Sequence, residues 1–295
     1  MKAAPCVLPR GFARQRGAAL LIALLAVALA VLLATELVER TQRDVARTTA
    51  VIDAERAWQF AEGIEGLARD WIRRQRRADP VTRLPDGQWS EPFMVPGGSL
   101  RGRMFALDGR FNLNALASGD PTRAADARRT LLGLLALLNA DPALGESILT
   151  MYAVDAASPV AARVHLSELN RLEQFTPPVQ KRLEPYLATL PDADVRINVN
   201  RALPEVLAAA IEGLSIEAAR SLLARAPFES LDEVVSQPEF AVLDAASIRR
   251  RLAVESEWFL VHAQVVLDGV VRDYFRLVGA SGNRYDFRYL SQGVP

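Results

Sequence analysis

The sequence predicts an α+β protein in which a long N-terminal helix packs on an antiparallel sheet and a large all-helical domain is inserted between the strands. Three observations predict this fold class. An uncharged apolar run near the N-terminus continues into a proline-free amphipathic segment, extended runs with turn signals flank the middle of the chain, and the middle itself is typical of short capped helices. With 295 residues the chain is long enough to bury a substantial core in one or two domains.

The composition excludes several classes of protein. One cysteine excludes a disulfide scaffold and a thiolate zinc cluster. The 35 basic and 35 acidic residues balance, so the total charge gives no reason to expect nucleic acid as a partner. The charges are segregated, however, because residues 1–17 hold four basic groups, no acidic group and the cysteine. Without them the chain has 31 basic and 35 acidic residues, a net charge of −4, and no cysteine.

The first element is an apolar helix long enough to cross a membrane. Residues 18–35 carry no charge, and as a helix they rise about 27 Å, close to the thickness of a bilayer core. Basic residues precede the run, whereas Glu36 and Glu39 follow it. The positive-inside rule therefore places the N-terminus in the cytoplasm and exports the rest of the chain.

Three interpretations of this N-terminus are compatible with its pattern. It is a secretory signal cleaved near Ala28–Ala30 or Ala34, a permanent anchor, or a leader cut before the apolar run. The third interpretation is distinguished by the segment Arg14–Gly17 (RQRG), which the apolar run follows at once. This arrangement resembles the leader that prepilin peptidase cuts after glycine, and it places the cleavage between Gly17 and Ala18.

Beyond the apolar run, the helix is expected to continue as an amphipathic spine. Residues 36–78 contain no proline, and much of their apolar spacing follows i, i+3/i+4 and i+7 up to Asp79–Pro80. For residues 44–72 an ordinary surface helix of a globular domain fits equally well, but continuity with the apolar run favours one long helix. The residues expected to pack on a partner helix are Val45, Ile52, Ile64, Leu67 and Trp71.

Strand signals flank the helical middle of the chain. Residues 79–112 contain extended runs, and Asp108–Gly109 between apolar segments predicts a hairpin turn. Residues 253–295 predict a three-stranded antiparallel meander, with turns at Asp268–Gly269 and at 281–283.

Residues 113–252 between these flanks predict short helices. Asp120–Pro121 precedes a leucine-dense stretch at 131–138, which we assign to the core, and Ser230 with Glu233 fits a capping box. No internal repeat is apparent, so the pattern does not indicate a solenoid.

No catalytic signature supports an enzyme. His165 and His262 lie outside metal and nucleophile motifs, and the chain has no Walker loop and no Gly-x-Ser-x-Gly. His262 falls in a predicted strand, where a hydrogen-bonded structural role is the expected one.

Residues 197–235 resemble a helix-hairpin-helix unit, a module that binds DNA through hairpin amides and nearby cations. Here the hairpin is Glu212–Ser215, with one glycine instead of two and an acidic residue beside it. Arg220 and Arg225 are surrounded by acidic residues, so the charge balance favours a mixed, solvated face over a DNA interface.

Four further segments follow the leader in order: Phe111–Asn114 (FNLN), Leu166–Leu169 (LSEL), Ile197–Asn200 (INVN) and Ser256–Phe259 (SEWF). Their order and spacing resemble the general secretion pathway protein K family, minor pseudopilins of bacterial type II secretion systems, over nearly the whole chain. The resemblance implies a pilin-like fold whose helical insert contains the helix-hairpin-helix (SAM-like) unit. It also implies a non-enzymatic protein of the inner membrane that crosses it once and places its C-terminal domain in the periplasm.

The expected organisation has five parts. They are a leader at 1–17, a spine helix at 18–78 with a transmembrane part at 18–35, pilin-like strands at 79–112, a helical insert at 113–252 and further pilin-like strands at 253–295.

The fifth position after the expected cleavage site is Ile22, where most pilin-like proteins carry a glutamate that pairs with a neighbouring N-terminal amine. Because an unpaired carboxylate in a membrane is costly, an apolar residue here suits the first, tip-most subunit. The bulk of the insert also suits the tip, where it would not obstruct the next subunit. The resemblance implies methylation of Ala18 by prepilin peptidase.

The expected role is to initiate or cap the pseudopilus for export of folded proteins. The partners that the resemblance implies are pseudopilins I and J, other pseudopilins and prepilin peptidase, with exoprotein cargo or the outer-membrane secretin as candidate contacts of the insert. Nucleic acid is not expected. A minor pilin of a type IV pilus and a membrane-anchored DNA-binding protein remain as alternatives.

One segment departs from the family. Members carry acidic residues implied in calcium binding where this chain reads Tyr152–Ala157 (YAVDAA), with Asp155 as the one acidic residue. Calcium prefers six to eight oxygen ligands, so we expect no metal at this place and no cofactor elsewhere.

Overall fold

The computed structural model describes residues 15–77, 87–152 and 165–293, and the chain divides into two units, with the boundary between Trp58 and Gln59. Helix α1 extends from Gln15 to Arg77, 63 residues without a proline. Arg74, Arg76 and Arg77 lie in its last turn, where cations interact favourably with the helix dipole.

The strands and the remaining helices follow in chain order. The strands are β1 (Phe93–Val95), β2 (Gly98–Ala106), β3 (Phe111–Asn112), β4 (Leu187–Ala188), β5 (Ile197–Asn198), β6 (Leu252–Ala253), β7 (Trp258–Leu267), β8 (Val270–Ser281) and β9 (Arg284–Gln292). The helices are α2 (Pro121–Leu137), α3 (Pro142–Met151), α4 (Pro177–Leu183), α5 (Pro204–Ala210), α6 (Ile216–Leu223), α7 (Leu231–Val235) and α8 (Ala245–Arg251). Short 3₁₀ turns lie at Leu113–Ala117, Leu166–Arg171 and Pro238–Phe240.

Five strands form one antiparallel sheet in the order β1-β2-β7-β8-β9. The meander predicted at the C-terminal end is confirmed, because β7, β8 and β9 are consecutive neighbours. Asp268 and Gly269, with φ of 47° and 80°, form the turn between β7 and β8. Positive φ at both residues is the geometry that suits the twist of a two-residue hairpin, and Asp-Gly adopts it readily.

The hairpin predicted at Asp108–Gly109 is wrong. Strand β2 does not pair with β3; β3 instead forms a short parallel pair with β4. Asp108 is only 2% exposed, and its carboxylate accepts a hydrogen bond from the backbone N–H of Glu257. The dipeptide therefore turns the chain out of the sheet instead of folding β2 back on itself.

The described residues of the insert between β2 and β7 form two hydrophobic cores. Helices α2 and α3 contribute Leu131, Leu134 and Ile148 to the first core, whereas α5 and α6 contribute Leu207 and Leu222 to the second. Among its described residues the insert is helical apart from two short parallel pairs, β3-β4 and β5-β6, so the expectation of an all-helical domain needs this refinement. These pairs lie next to the places where the chain enters and leaves the insert.

The predicted caps begin their helices. The Asp120 side chain accepts a hydrogen bond from the Thr122 amide at the start of α2. The Ser230 hydroxyl accepts one from the Glu233 amide, as the capping box requires, but the Glu233 carboxylate accepts from Glu229 instead of the cap residue.

Candidate functional site

The predicted processing site lies in the first turn of helix α1. Gly17 and Ala18 belong to the helix, which begins at Gln15. From Ala19 through Ile52 the side chains are exposed, among them Ile22 at 67%. This part of the helix contains an 18-residue window with mean hydropathy of 2.7 and none of the window buried, so by length and composition it can cross a membrane.

Two residues of the predicted packing face remain exposed in the first unit. Val45 is 60% exposed and Ile52 is 54% exposed. From Ala19 through Ile52, the apolar residues of helix α1 therefore have no cover among the described residues.

Ile64, which we expected to pack on a partner helix, is instead buried within the protein itself. It is 3% exposed and lies against Gly102 of strand β2. A Cβ atom at residue 102 would be only 3.1 Å from Ile64 Cδ1. Ile64 thus packs on the chain's own sheet and has no surface left for a partner helix. Leu67 and Trp71 are half-buried.

Polar contacts fasten the end of α1 to the same sheet. The Arg76 guanidinium donates hydrogen bonds to the carbonyl oxygens of Ser256, Ala280 and Gly282. Glu65 forms an ion pair with Arg276 of β8, with side chains only 28% and 17% exposed. The sequence did not predict the hydrogen bonds of Arg76 or the ion pair of Glu65. The arginines near residue 77 suggest a helix end, but nothing local identifies carbonyl partners about 200 residues away.

Helices α5 and α6 form the predicted helix-hairpin-helix unit. The Ser215 hydroxyl caps α6 by accepting a hydrogen bond from the Ala218 amide at 3.1 Å, and Leu214 of the hairpin is 5% exposed. Glu212, at the tip of the hairpin, forms an ion pair with Arg129 of α2. An acidic residue thus lies where a DNA-binding hairpin would receive a phosphate.

Five arginines between residues 220 and 251 of the insert have acidic partners. The Arg225 guanidinium, for example, holds the pKa of Glu239 below its ordinary value through a hydrogen bond. Cations already paired with carboxylates give little phosphate affinity, so the charges disfavour a DNA interface. The pairs are Arg220–Glu205, Arg225–Glu239, Arg249–Asp232, Arg250–Asp244 and Arg251–Asp126.

The two histidines have structural roles. His262 is 5% exposed; its Nε2 lies 2.8 Å from Asp273, and its Nδ1 accepts a hydrogen bond from Arg103 at 3.0 Å. Burial lowers the pKa of His262 in spite of the Asp273 hydrogen bond. His165 caps the 3₁₀ turn at Leu166–Arg171, because its Nδ1 accepts from the Ser167 amide.

The calcium prediction concerns Asp155, which lies outside the described residues. Within residues 15–77, 87–152 and 165–293, no group of three or more His, Cys, Asp or Glu side chains is placed to hold a metal ion.

Comparison with known proteins identifies the family. Two family models, both described as "Type II secretion system (T2SS), protein K", match residues 109–192 and 197–255. The Type II secretion system protein K of Klebsiella pneumoniae is 30% identical over 290 residues, which cover 86% of this chain and 89% of that protein. The chain belongs to the type II secretion system protein K family.

Further relatives carry the same name. Type II secretion system protein K of Pectobacterium carotovorum subsp. carotovorum is 29% identical over 296 residues, covering 85% of this chain and 88% of that protein. The Pseudomonas aeruginosa protein of that name is 30% identical over 231 residues, covering 67% and 68% respectively. As a member of this family the chain is a membrane-anchored minor pseudopilin of a type II secretion system.

The fold is shared with a solved structure. A chain in the crystal structure of the GspK-GspI-GspJ complex from the enterotoxigenic Escherichia coli type 2 secretion system superposes with a TM-score of 0.66. The match covers 84% of this chain and 100% of that chain at 18% sequence identity. The α+β fold class with its long apolar helix, predicted from the sequence, is therefore confirmed.

Proposed function

We propose that this protein is the tip subunit of the pseudopilus, where it initiates or caps the filament together with pseudopilins I and J for export of folded proteins. The observation that carries the proposal is the apolar residue at the fifth position after the leader. The solved structure with the same fold comes from a complex of GspK with GspI and GspJ, which supports these partners.

Ile22 supports a position with no subunit above it. A glutamate here would need a positively charged amine from the next subunit, because a carboxylate in hydrocarbon is stable only when paired. Isoleucine needs no such neighbour, and its side chain is 67% exposed on the helix. An apolar residue therefore costs nothing at the end of the filament.

The insert supports the same position. Between β2 and β7 the chain builds two hydrophobic cores of its own. A body of this size on each subunit would obstruct close stacking in a filament shaft, whereas at the tip it faces open space. The insert is then the surface for exoprotein cargo or the secretin.

The contact with pseudopilins I and J is assigned to the exposed part of helix α1. Val45 and Ile52 are more than half exposed and lie seven residues apart, so they share one helix face. Apolar side chains at this spacing pack well against a second helix.

The membrane arrangement follows from the charges. The basic leader stays in the cytoplasm, the apolar segment crosses the inner membrane once, and the C-terminal region lies in the periplasm. Prepilin peptidase cleaves between Gly17 and Ala18 and methylates Ala18. The protein acts by assembly, without catalysis and without a cofactor.

Mass spectrometry of the native N-terminus tests the processing. We expect a chain that begins at methylated Ala18. Replacing the leader glycine, in Gly17→Val, should leave an intact precursor in the membrane and abolish secretion, whereas Gly11→Val in the same leader should be processed normally. A native chain that begins at Met1 or near Glu36, or normal processing of the Gly17→Val variant, would contradict the mechanism.

Labelling of filaments tests the position. In cells that overproduce pseudopili, an antibody against the insert should mark one end of each filament. Label along the shaft would contradict a tip subunit while leaving the processing result untouched.

A further inference from the structure

Asp108 lies where the chain leaves the sheet for the insert, and it also contacts the place where the chain returns. Its Oδ2 accepts hydrogen bonds from the backbone amides of Glu257, at 2.6 Å, and Trp258, at 3.4 Å. Asp108 lies two residues after the end of β2 at Ala106, and Trp258 begins β7. One carboxylate therefore ties the outgoing chain to the incoming chain.

The backbone around Asp108 joins the insert to the same junction. The Asn198 amide of β5 donates to the Asp108 carbonyl oxygen at 2.8 Å, and the Asn198 side chain donates to the Ser256 hydroxyl at 2.7 Å. The Leu107 amide donates to the Trp258 carbonyl oxygen at 2.9 Å. Sheet, insert and returning chain thus meet around a single buried side chain.

The other carboxylate oxygen is not satisfied. Asp108 Oδ1 is buried and has no hydrogen-bond partner among the described residues. A buried polar atom without a partner is uncommon in native proteins and costs free energy, especially when it carries charge.

The charged groups around Asp108 do not neutralise it. A cleft of about 470 Å³ beside it is lined by two arginines, Arg76 of α1 and Arg196, and by two acids, Glu255 and Glu257. The Arg76 guanidinium is committed to backbone carbonyl oxygens, as described above. The amides and the Ser256 hydroxyl supply hydrogen bonds but no positive charge.

We infer that Asp108 is a proton-sensitive tie between the five-stranded sheet and the inserted domain, and that the junction is more stable when this carboxyl group is neutral. Burial raises the pKa of Asp108 to about 6, against the hydrogen bonds from Ser256, Glu257 and Trp258, which lower it. A raised pKa in the folded state means that the stabilising contribution is complete below the ordinary carboxyl pKa and is lost as pH rises through the folded value. The junction therefore loosens between about pH 4 and pH 6.

Hydrogen exchange of the full-length protein in detergent tests the inference. Asp108→Asn is permanently neutral and keeps an oxygen that can accept from the two amides. The readout is the opening equilibrium at the amides of Glu257 and Trp258, compared between variant and wild type at each pH. Relative to Asp108→Asn, the opening equilibrium constant of the wild type should be about 20-fold larger at pH 7 than at pH 4.5, for a carboxyl pKa of about 4 in the open state and about 6 in the folded state.

The control is Glu91→Gln, which removes an exposed carboxylate close to β1. The opening equilibrium constant of Glu91→Gln at these two amides, divided by that of the wild type, should not change with pH. A ratio for Asp108→Asn that is equal at both pH values, or a change of the same size in Glu91→Gln, would overturn the inference.

A second measurement needs no variant at Asp108. In the wild type, opening at Glu257 and Trp258, corrected for intrinsic exchange rates, should rise between pH 4.5 and pH 7. Opening at Ala219 in helix α6 of the insert, which is fully buried, should stay level by comparison. Equal pH dependence at both places would show that no local tie responds to protons.

Discussion

The two parts of helix α1 carry the same kind of apolar pattern in different surroundings. Val45 and Ile52 are 60% and 54% exposed, whereas Ile64 and Ile72 are 3% and 0% exposed. Periodicity shows that a helix has an apolar face, but it does not show whether that face is covered by the same chain or by another. In this protein both occur along one continuous helix.

The difference has a local cause in the second unit. Ala61 and Ala68 are buried along the same face of the helix as Ile64 and Ile72, and Gly102 on β2 has no side chain at the point where it meets Ile64. Small residues on both elements let the helix approach the sheet closely, and Glu65 and Arg76 then find partners at short range. This close packing distinguishes the second part of the helix from the first.

The largest difference in stability is expected when an isoleucine is truncated to alanine in each of the two parts of helix α1. Ile64→Ala removes a buried side chain and leaves a cavity, so we expect a loss of about 2–5 kcal/mol in the free energy of unfolding. Ile52→Ala removes an exposed side chain and should change that free energy by about 0.5 kcal/mol or less. Chemical denaturation of the full-length protein in detergent, followed by tryptophan fluorescence, measures both.

The reverse order is expected for association. Ile52→Asp should reduce co-purification of pseudopilins I and J, because it places a charge on the proposed packing face. Val242→Asp, at an apolar residue that is 92% exposed in the insert, is the matched control and should not. If both aspartate variants bind equally well, the packing face proposed for α1 is wrong.

A smaller effect is expected from filling the gap between helix and sheet. The added methyl group in Gly102→Ala would lie 3.1 Å from Ile64 Cδ1, so the helix or the side chain must shift. Overpacking of this kind costs about 1–3 kcal/mol. Combining it with Ile64→Val should recover part of the loss, and thermal unfolding of the single and double variants would show it. Additive losses in the double variant would place the strain elsewhere.

The smallest effect concerns ion pairs. Glu65–Arg276 is partly buried, whereas Glu39–Arg43 is an exposed pair within the helix, with side chains 61% and 72% exposed. A double-mutant cycle should give about 1 kcal/mol for the first pair and about 0.3–0.5 kcal/mol for the second. Raising the salt concentration should weaken the second pair more. Equal coupling energies would mean that burial does not distinguish the two parts.

The two Asp-Gly dipeptides show how much of a turn the local sequence determines. Asp268–Gly269 forms the predicted hairpin because the two residues adopt positive φ and the strands on either side are neighbours. Asp108–Gly109 has the same two letters but no hairpin. There, the carboxylate binds amides about 150 residues further along the chain, and this long-range contact overrides the local preference.

The same limit applies to the candidate site. The apolar run and the amphipathic period are local, so the sequence by itself determined that a long apolar helix precedes a mixed helix and sheet domain. That Ile64 belongs to the core, that Arg76 fastens the helix to strand ends, and that Asp108 joins sheet and insert were decided only by the tertiary structure. The physical reason is that each depends on atoms brought together from distant parts of the chain, where packing and burial set the energy of a contact and no spacing along the sequence records it.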